Sequence, residues 1–234
     1  MLERLDKVFS SCGISTRSEC LSLIKKGKVT VNGERVKTPS LKVDTNVDII
    51  ALDGEVLTLK KFVYIMLNKP LGVVSSTDEG GQTTVIDIIP DDMKRDGLFP
   101  CGRLDKDTVG LVIITNDGVS AHKKLAPKSK TEKVYYFEIA DEILGGQVEL
   151  IEKGVTLKDG YTVCPCKVKM LSKTSGYITL TEGKYHEIKR IFGSLGNKIT
   201  YLKRVSFGKI VLDENLEEGK ARYLTKQEEE FFTK

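Results

Sequence analysis

The sequence contains no apolar run long enough to cross a membrane. Its longest such run, residues 62–67, has the length of a strand, whereas a transmembrane helix needs about 20 consecutive apolar residues. The start of the chain, residues 1–7, is charged and amphipathic and does not have the pattern of a secretory signal. We therefore expect a cytoplasmic protein without a membrane partner.

Cysteine and histidine, the residues of disulfide frameworks and zinc sites, are scarce. There are five cysteines and two histidines, and an odd, sparse set of cysteines is not typical of a secreted disulfide scaffold. Cys164 and Cys166 are separated by a single residue, which is too tight for half of a zinc site. We expect free thiols in a reducing compartment and no metal ion.

Apolar residues are plentiful enough for folded domains. They make up 40% of the 234 residues, and charged residues make up 30%. This composition excludes disorder along most of the chain, because enough apolar surface exists to offset the entropy lost on folding. The length exceeds that of one average domain.

The net charge of +4 is small, but the cations are unevenly distributed. Residues 17–42 contain seven Lys or Arg against two acidic residues, and residues 183–209 contain seven against one. One such run is often only a solvated surface. Two of them on a nearly balanced chain favour a polyanionic partner such as nucleic acid.

Residues 1–58 have the pattern of a helical module that ends in a β-hairpin. Thr16 and Glu19 have the spacing of a helix capping box. Asn32-Gly33, between alternating valines, predicts a hairpin turn. Before residue 13, apolar residues recur on one helical face: Leu2, Leu5, Val8 and Phe9.

These elements, together with the basic residues on the second helix and the hairpin, resemble the S4 RNA-binding domain. The matching stretches are Arg4-Leu5-Asp6-Lys7 and Val29-Thr30-Val31-Asn32-Gly33. The resemblance implies an RNA-binding domain at residues 1–58. Four cations of this domain are expected to contact RNA: Arg17, Lys25, Lys26 and Lys28.

From residue 60 onward, strand-like runs predominate, with isolated helical segments between them. Adjacent strands mixed with single helices predict an α+β fold with a mainly antiparallel sheet. We expect this second domain to occupy residues 60–232.

Residues 102–110, Gly-Arg-Leu-Asp-Lys-Asp-Thr-Val-Gly, place two carboxylates, two cations and a hydroxyl directly before an apolar strand. A loop that leads into a core strand is a rigid mount for a reactive side chain. The same loop could be an Asp-rich turn whose carboxylates cap backbone amides. The physical pattern alone does not choose between these two interpretations.

Several motifs resemble those of the pseudouridine synthases that modify ribosomal RNA and carry an N-terminal S4 domain. They are Leu67-Asn68-Lys69-Pro70, Gly102-Arg103-Leu104-Asp105, Thr115-Asn116-Asp117-Gly118, Lys133-Val134-Tyr135 and the stretch from Glu182 to Arg190. This family converts a uridine in folded RNA to its carbon-linked isomer, without a cofactor or a metal. The resemblance therefore implies the same reaction here, with no cofactor.

The resemblance also implies three catalytic residues. Asp105 matches the essential aspartate, Lys189 the cation that keeps it ionised, and Tyr135 the tyrosine that packs against the target base. A cation is needed because burial alone would raise the pKa of an aspartate. From the residues alone, Lys189 could instead contact a phosphate, and Tyr135 could be an ordinary strand aromatic. Tyr136, on the opposite strand face, is expected in the core.

Further residues are implied as RNA contacts. Arg103 matches the arginine that enters the RNA stack when the target nucleotide leaves it, and its alternative role is an ion pair with Asp107. The sequence departs from the family at Glu187, where glutamine is common, and this places an acid near the expected catalytic cation. Three more RNA contacts are expected in the last motif: Lys184, His186 and Arg190.

We therefore expect an enzyme that isomerises a specific uridine in 16S ribosomal RNA. Its partner would be ribosomal RNA or a ribosomal-subunit assembly intermediate, and it would act as a monomer. The stretches 204–208 and 222–224 favour a small-subunit target, and 23S ribosomal RNA is the close alternative. A non-catalytic assembly factor would not need the set of Asp105, Tyr135 and Lys189, and a metal nuclease would need a ligand cluster that the sequence lacks.

Overall fold

Two units make up the chain in the computed structural model, which describes residues 2–45, 47–57, 59–78 and 80–233. The N-terminal unit takes up the chain to Val63 and the later segment Pro90–Leu98. The C-terminal unit consists of Tyr64–Ile89 and the chain from Phe99 onward. The domain bounds 1–58 and 60–232 stay predictions, and the sequence contained no signal that would place Pro90–Leu98 with the N-terminal unit.

Among its described residues, the N-terminal unit combines two α-helices and a 3₁₀ helix (Asp91–Met93) with six short strands. Its elements in chain order are β1 (Glu3–Arg4), α1 (Leu5–Ser11), α2 (Arg17–Lys25), β2 (Val29–Val31), β3 (Glu34–Arg35), β4 (Lys42–Val43), β5 (Ile50–Leu52) and β6 (Glu55–Val56). Strand β1 pairs with β4, and the other four form a sheet in the order β3-β2-β5-β6. These pairings are antiparallel.

Local sequence signals account for the boundaries in this unit. The Oγ1 atom of Thr16 accepts a hydrogen bond from the N–H of Glu19 (3.2 Å), and the Glu19 carboxylate accepts one from the N–H of Thr16 (2.8 Å), so the capping box is confirmed. Asn32 and Gly33 have φ angles of 54° and 83° and form the predicted turn between β2 and β3. The placement of Leu2 on the apolar face of α1 is wrong, because the chain enters α1 from β1 and Leu2 is exposed.

A small apolar core joins the helices of this unit to its sheet. Its buried side chains are Leu5, Val8, Phe9, Cys20, Ile24, Val29, Val36, Val43 and Ile50. The four cations predicted to contact RNA lie outside this core and are exposed. One of them, Lys28, forms an ion pair with Asp53 (2.8 Å).

The C-terminal unit is built on one large sheet. Its strands are β7 (Tyr64–Lys69), β8 (Phe99–Pro100), β9 (Val109–Thr115), β10 (Lys133–Ile139), β11 (Lys167–Met170), β12 (Ser175–Leu180), β13 (Ile199–Phe207), β14 (Ile210–Val211) and β15 (Ala221–Tyr223). Its helices are α3 (Gly118–Leu125), α4 (Gln147–Lys153), α5 (Glu187–Ser194) and α6 (Lys226–Thr233).

The strand order of the large sheet is β11-β12-β10-β13-β9-β7-β15, with β14 beside β13 and β8 beside β9. One pair, β9 with β13, is parallel, and the other pairings between the described strands are antiparallel. The predicted α+β fold with a mainly antiparallel sheet is confirmed. None of the described helices is long and apolar enough to span a bilayer.

The two faces of β10 have different surroundings. Tyr135 and Phe137 are buried on one face, where the ring of Phe137 lies 4.8 Å from that of Phe192 in α5. Tyr136 lies on the other face, where it is only partly buried and packs edge-on against Tyr177. The prediction that Tyr136 is a core residue is wrong, because strand alternation separates the two faces without showing which one a helix covers.

Candidate active site

The loop between β8 and β9 carries Asp105 and is held by hydrogen bonds on both sides of it. The N–H of Thr108 donates to the carbonyl of Asp105 (3.0 Å), and the N–H of Leu104 donates to Oγ of Ser75 (3.1 Å). The side chain of Asp105 is 29% exposed. The backbone of the loop is therefore fixed while the carboxylate remains accessible.

Lys69, the last residue of β7, is fully buried and fastens this loop to the sheet. Its Nζ donates to the carbonyls of Thr108 (2.7 Å), Pro70 (3.1 Å) and Lys106 (3.3 Å). Burial lowers the pKa of Lys69 to about 8, although the two carboxylates of the loop act against this shift. The sequence motif contained Lys69, but its contacts with the loop were visible only in the structure.

Helix α5 supplies a cation to Asp105. The Nζ atom of Lys189 lies 2.9 Å from Oδ2 of Asp105 and 2.5 Å from Oδ1 of Asp107. Burial works against the charge on Lys189, but hydrogen bonds to both aspartates outweigh it and raise the pKa of Lys189. Burial also opposes the charge on Asp107, and the contact with Lys189 lowers the pKa of Asp107. A lysine cation therefore lies between two carboxylates that are more than 80 residues away in the sequence.

The three residues predicted to be catalytic lie together. Tyr135, from the buried face of β10, lines the same cleft as Asp105 and Lys189. Leu180 and Leu202 provide apolar surface in this cleft. The cleft thus combines a carboxylate, a cation and an aromatic ring with apolar walls.

Three of the predicted RNA contacts line this cleft as well: Arg103, Lys184 and His186. The Nε2 atom of His186 is 3.6 Å from Oδ1 of Asp105, and its ring stacks on Tyr185 with centroids 3.8 Å apart. Arg103 is exposed and makes no ion pair with residues of the described ranges. Its suggested partner, Asp107, pairs with Lys189 instead.

Arg190 lies outside this set. It forms an ion pair with Asp159, in the segment before β11, and does not line the cleft. The cations predicted in the N-terminal unit are exposed on α2 and after it. The predicted RNA contacts therefore fall into three groups. Three residues line the cleft, Arg190 does not, and the four cations of α2 and the residues after it belong to the N-terminal unit.

The cysteines are free, as the sequence predicts, and three of them are buried: Cys20, Cys101 and Cys166. Within the described ranges, no group of three or more His, Cys, Asp or Glu side chains is arranged to hold a metal ion.

Family models match both parts of the sequence. The model of the RNA pseudouridylate synthases matches residues 63–194, and that of the S4 domain matches residues 3–49. The first match covers more than half of the chain. The chain belongs to the RNA pseudouridylate synthase family.

Relatives of similar length agree with this assignment. The RNA pseudouridine synthase YtzG of Bacillus subtilis (strain 168), described as uncharacterized, is 38% identical over 229 residues, which are 96% of each chain. The ribosomal small subunit pseudouridine synthase A of Vibrio vulnificus (strain CMCP6) is 40% identical over 96% of this chain and 97% of its own. The crystal structure of a pseudouridylate synthase shares 37% identity and a TM-score of 0.69, over 98% of this chain and 99% of that one. The protein is an RNA pseudouridine synthase with an S4 domain.

The cleft of this pseudouridine synthase also contains two glutamates, Glu182 and Glu187, to which the sequence assigned no role. Glu187 is 4% exposed and is the first residue of α5. Burial raises the pKa of Glu187 to about 7, and the neighbouring Glu182 adds to this shift. The one signal in the sequence was the unusual acid at position 187, in a motif where the family often has glutamine.

Proposed function

We propose that this pseudouridine synthase isomerises one uridine of 16S ribosomal RNA, with Asp105 as the catalytic carboxylate. The observation that carries the assignment of Asp105 is its ion pair with Lys189, in a cleft that also contains Tyr135. The ribosomal target is supported by the name of the Vibrio vulnificus relative, which matches almost the whole chain.

The reaction breaks the bond between C1′ of the ribose and N1 of uracil and joins C1′ to C5 of the same base. Asp105 acts as nucleophile or base while the glycosidic bond breaks. The detached uracil turns, C5 bonds to C1′, C5 loses its proton, and N1 of the product carries one. Substrate and product are isomers, so the reaction needs no redox partner.

The neighbours of Asp105 have complementary roles in this proposal. Lys189 donates a hydrogen bond to the Asp105 carboxylate (2.9 Å) in a cleft that must shield the detached base from water. Tyr135 packs against the base, and the apolar side chains of Leu180 and Leu202 complete the wall behind it. The base can then turn without leaving the protein.

The target uridine must leave its stack before C5 can reach the site. Arg103, which is exposed at the cleft, fills the gap that the uridine leaves in the RNA. Lys184, His186 and Arg190 contact the RNA near the cleft, and Arg17, Lys25, Lys26 and Lys28 contact it through the S4 domain. The enzyme acts in the cytoplasm as a monomer, on ribosomal RNA or a subunit assembly intermediate.

Mapping pseudouridine in ribosomal RNA tests the target. We expect one 16S position to lose pseudouridine in cells that lack the gene and to regain it when the wild-type gene is returned. Modification restored at a 23S position instead would show that the proposed subunit is wrong.

The variant Asp105→Asn tests the site, because it keeps the shape of the side chain and removes its charge. We expect turnover to disappear while RNA affinity changes by less than about tenfold, or ~1.4 kcal/mol. Tritium release from RNA labelled at C5 of uridine measures turnover. Asp107→Asn is the matched control, since Asp107 contacts the same Lys189 and is 68% exposed. Substantial turnover by Asp105→Asn would reject the assignment.

A further inference from the structure

The carboxyl group of Glu187 is buried, and only one of its two oxygens has a hydrogen-bond donor among the described residues. Oε2 of Glu187 accepts a hydrogen bond from the N–H of Lys184 (2.8 Å). Oε1 of Glu187 has no hydrogen-bond partner of ordinary geometry within the described ranges. An unpartnered buried oxygen is costly in free energy, so this atom calls for a physical explanation.

The neighbour that can satisfy Oε1 is the carboxyl group of Glu182, which lines the same cleft and interacts with Glu187. Glu182 accepts hydrogen bonds from the hydroxyl of Tyr161 (2.5 Å) and from the N–H of Cys164 (2.7 Å). These two donors stabilise the ionised form of Glu182. Two ionised carboxylates in contact would repel each other, so a single proton belongs between them, on the side of Glu187.

The other charged and titratable groups around Glu187 do not replace this proton. Lys133, on β10, is a cation that favours the ionised form of Glu187, but its Nζ already donates to the carbonyls of Thr131 and Thr181. Burial and Glu182 outweigh its effect, which leaves the pKa of Glu187 raised to about 7 and that of Glu182 lowered. Lys184 and His186 line the same cleft as Glu187. Further titratable groups near Glu187 lie in the segment before β11: Tyr161, Cys164 and Cys166.

Glu187 lies in the chain between the two residues that approach Asp105, His186 and Lys189. It begins α5, and the residue before it, His186, has a left-handed φ of 49°. His186 and Lys189 both approach Asp105 from this short stretch of chain. A shift of the Glu187 side chain would therefore shift the cation that faces Asp105.

We propose that Glu187 is a positioning residue, and that a proton shared between Glu187 and Glu182 holds the turn of residues 183–187 so that Lys189 faces Asp105. This inference rests on the proposed role of Asp105. Loss of the proton places two negative charges side by side, and the turn then opens. The enzyme is thus active while Glu187 is protonated and loses activity as the pH rises above neutrality.

The variant Glu187→Gln tests this proposal, because an amide imitates the protonated acid. Its NH₂ group can donate to Glu182, its oxygen can accept from Lys184, and it does not titrate. We expect kcat/KM between pH 7 and pH 8.5 to fall at least about fourfold more in the wild type than in Glu187→Gln, since both proteins contain Lys69, whose pKa is about 8, but only the wild type also loses the Glu187 proton. Glu149→Gln, which changes an exposed glutamate on α4, is the matched control and should keep the wild-type profile.

A second measurement does not depend on catalysis. Infrared difference spectra between pH 6 and pH 8.5 should contain the carbonyl band of a protonated acid in the wild type and in Asp105→Asn, and should lack it in Glu187→Gln. Retained turnover by Asp105→Asn would reject the proposed catalytic role of Asp105 without changing this spectroscopic result.

Two results would overturn the proposal. If the pH profiles of Glu187→Gln and the wild type coincide, the proton of Glu187 does not control the site. If Glu187→Gln is folded and binds RNA but is inactive at every pH, the enzyme requires the carboxylate itself.

Discussion

Two carboxyl groups that line the cleft, those of Asp105 and Glu187, have different partners. Asp105, which is 29% exposed, is neutralised by a cation on Lys189. Glu187, which is 4% exposed, has a neighbouring acid and the N–H of Lys184, and burial raises its pKa to about 7. In our proposals a charged carboxylate is used at Asp105, whereas a hydrogen bond is used at Glu187. A cation therefore lies beside the acid whose charge we propose is used, and a second acid lies beside the one whose hydrogen bonding we propose is used.

After the loss of turnover expected for Asp105→Asn, the largest effect is expected for Lys189→Met, which keeps much of the stem and removes the cation. A buried pair broken on one side costs about 3–5 kcal/mol of folding stability, and the partial exposure of this pair reduces the expected loss to roughly 2–3 kcal/mol. Without the cation the Asp105 carboxylate also loses its hydrogen bond from Lys189, so kcat should fall.

Urea unfolding and measurements of kcat and RNA affinity of Lys189→Met test these effects, and Lys198→Met, at an exposed position, is the control. A loss of RNA affinity with unchanged kcat would mean that Lys189 binds a phosphate. The two carboxyl groups would then differ less than we conclude.

The next largest effect concerns stability in Glu187→Gln. The pKa of Glu187 is about 7 in the folded protein, whereas the ordinary value is 4.5. As the pH rises, the unfolded chain therefore releases this proton before the folded protein does. The wild type consequently loses stability between pH 4.5 and pH 7. Each pKa unit corresponds to about 1.4 kcal/mol, which predicts a loss of up to about 3 kcal/mol. The variant does not lose this stability, because glutamine does not titrate. Urea unfolding should show it to be more stable than the wild type at pH 8 and similar at pH 4.5, and an equal difference at both values would contradict the assignment.

The smallest effect is expected for Asp107→Asn. Asp107 is 68% exposed, and exposed ion pairs contribute about 0–1 kcal/mol. We expect kcat to fall by less than about fivefold, because Lys189 keeps its contact with Asp105. Single-turnover kinetics check this value. A loss as large as that of Lys189→Met would show that the two aspartates act as one unit.

Local elements of the fold could be predicted from the sequence. The capping box of Thr16 and Glu19 and the turn at Asn32-Gly33 depend on contacts between residues at most a few positions apart, and both were found as expected. The errors have a common cause. Leu2 and Tyr136 were assigned to buried faces from periodicity, which places a residue on a face but does not show what packs against that face.

The candidate site was predictable in part. Asp105, Tyr135 and Lys189 were named through family motifs, since the residue pattern alone allowed an Asp-rich turn. The contacts of Lys69 with the loop carbonyls, and of Arg190 with Asp159, had no local signal. Each joins side chains and backbone groups from distant parts of the chain.

The sequence by itself determined the family, the α+β class and the residues that carry charge near the reaction. It did so because motifs, capping residues and alternation are properties of neighbouring positions. The tertiary structure decided which groups lie beside each of those charged residues. Asp105 has a lysine cation beside it, whereas burial and a second acid raise the pKa of Glu187 to about 7, because the folded chain alone brings these partners together.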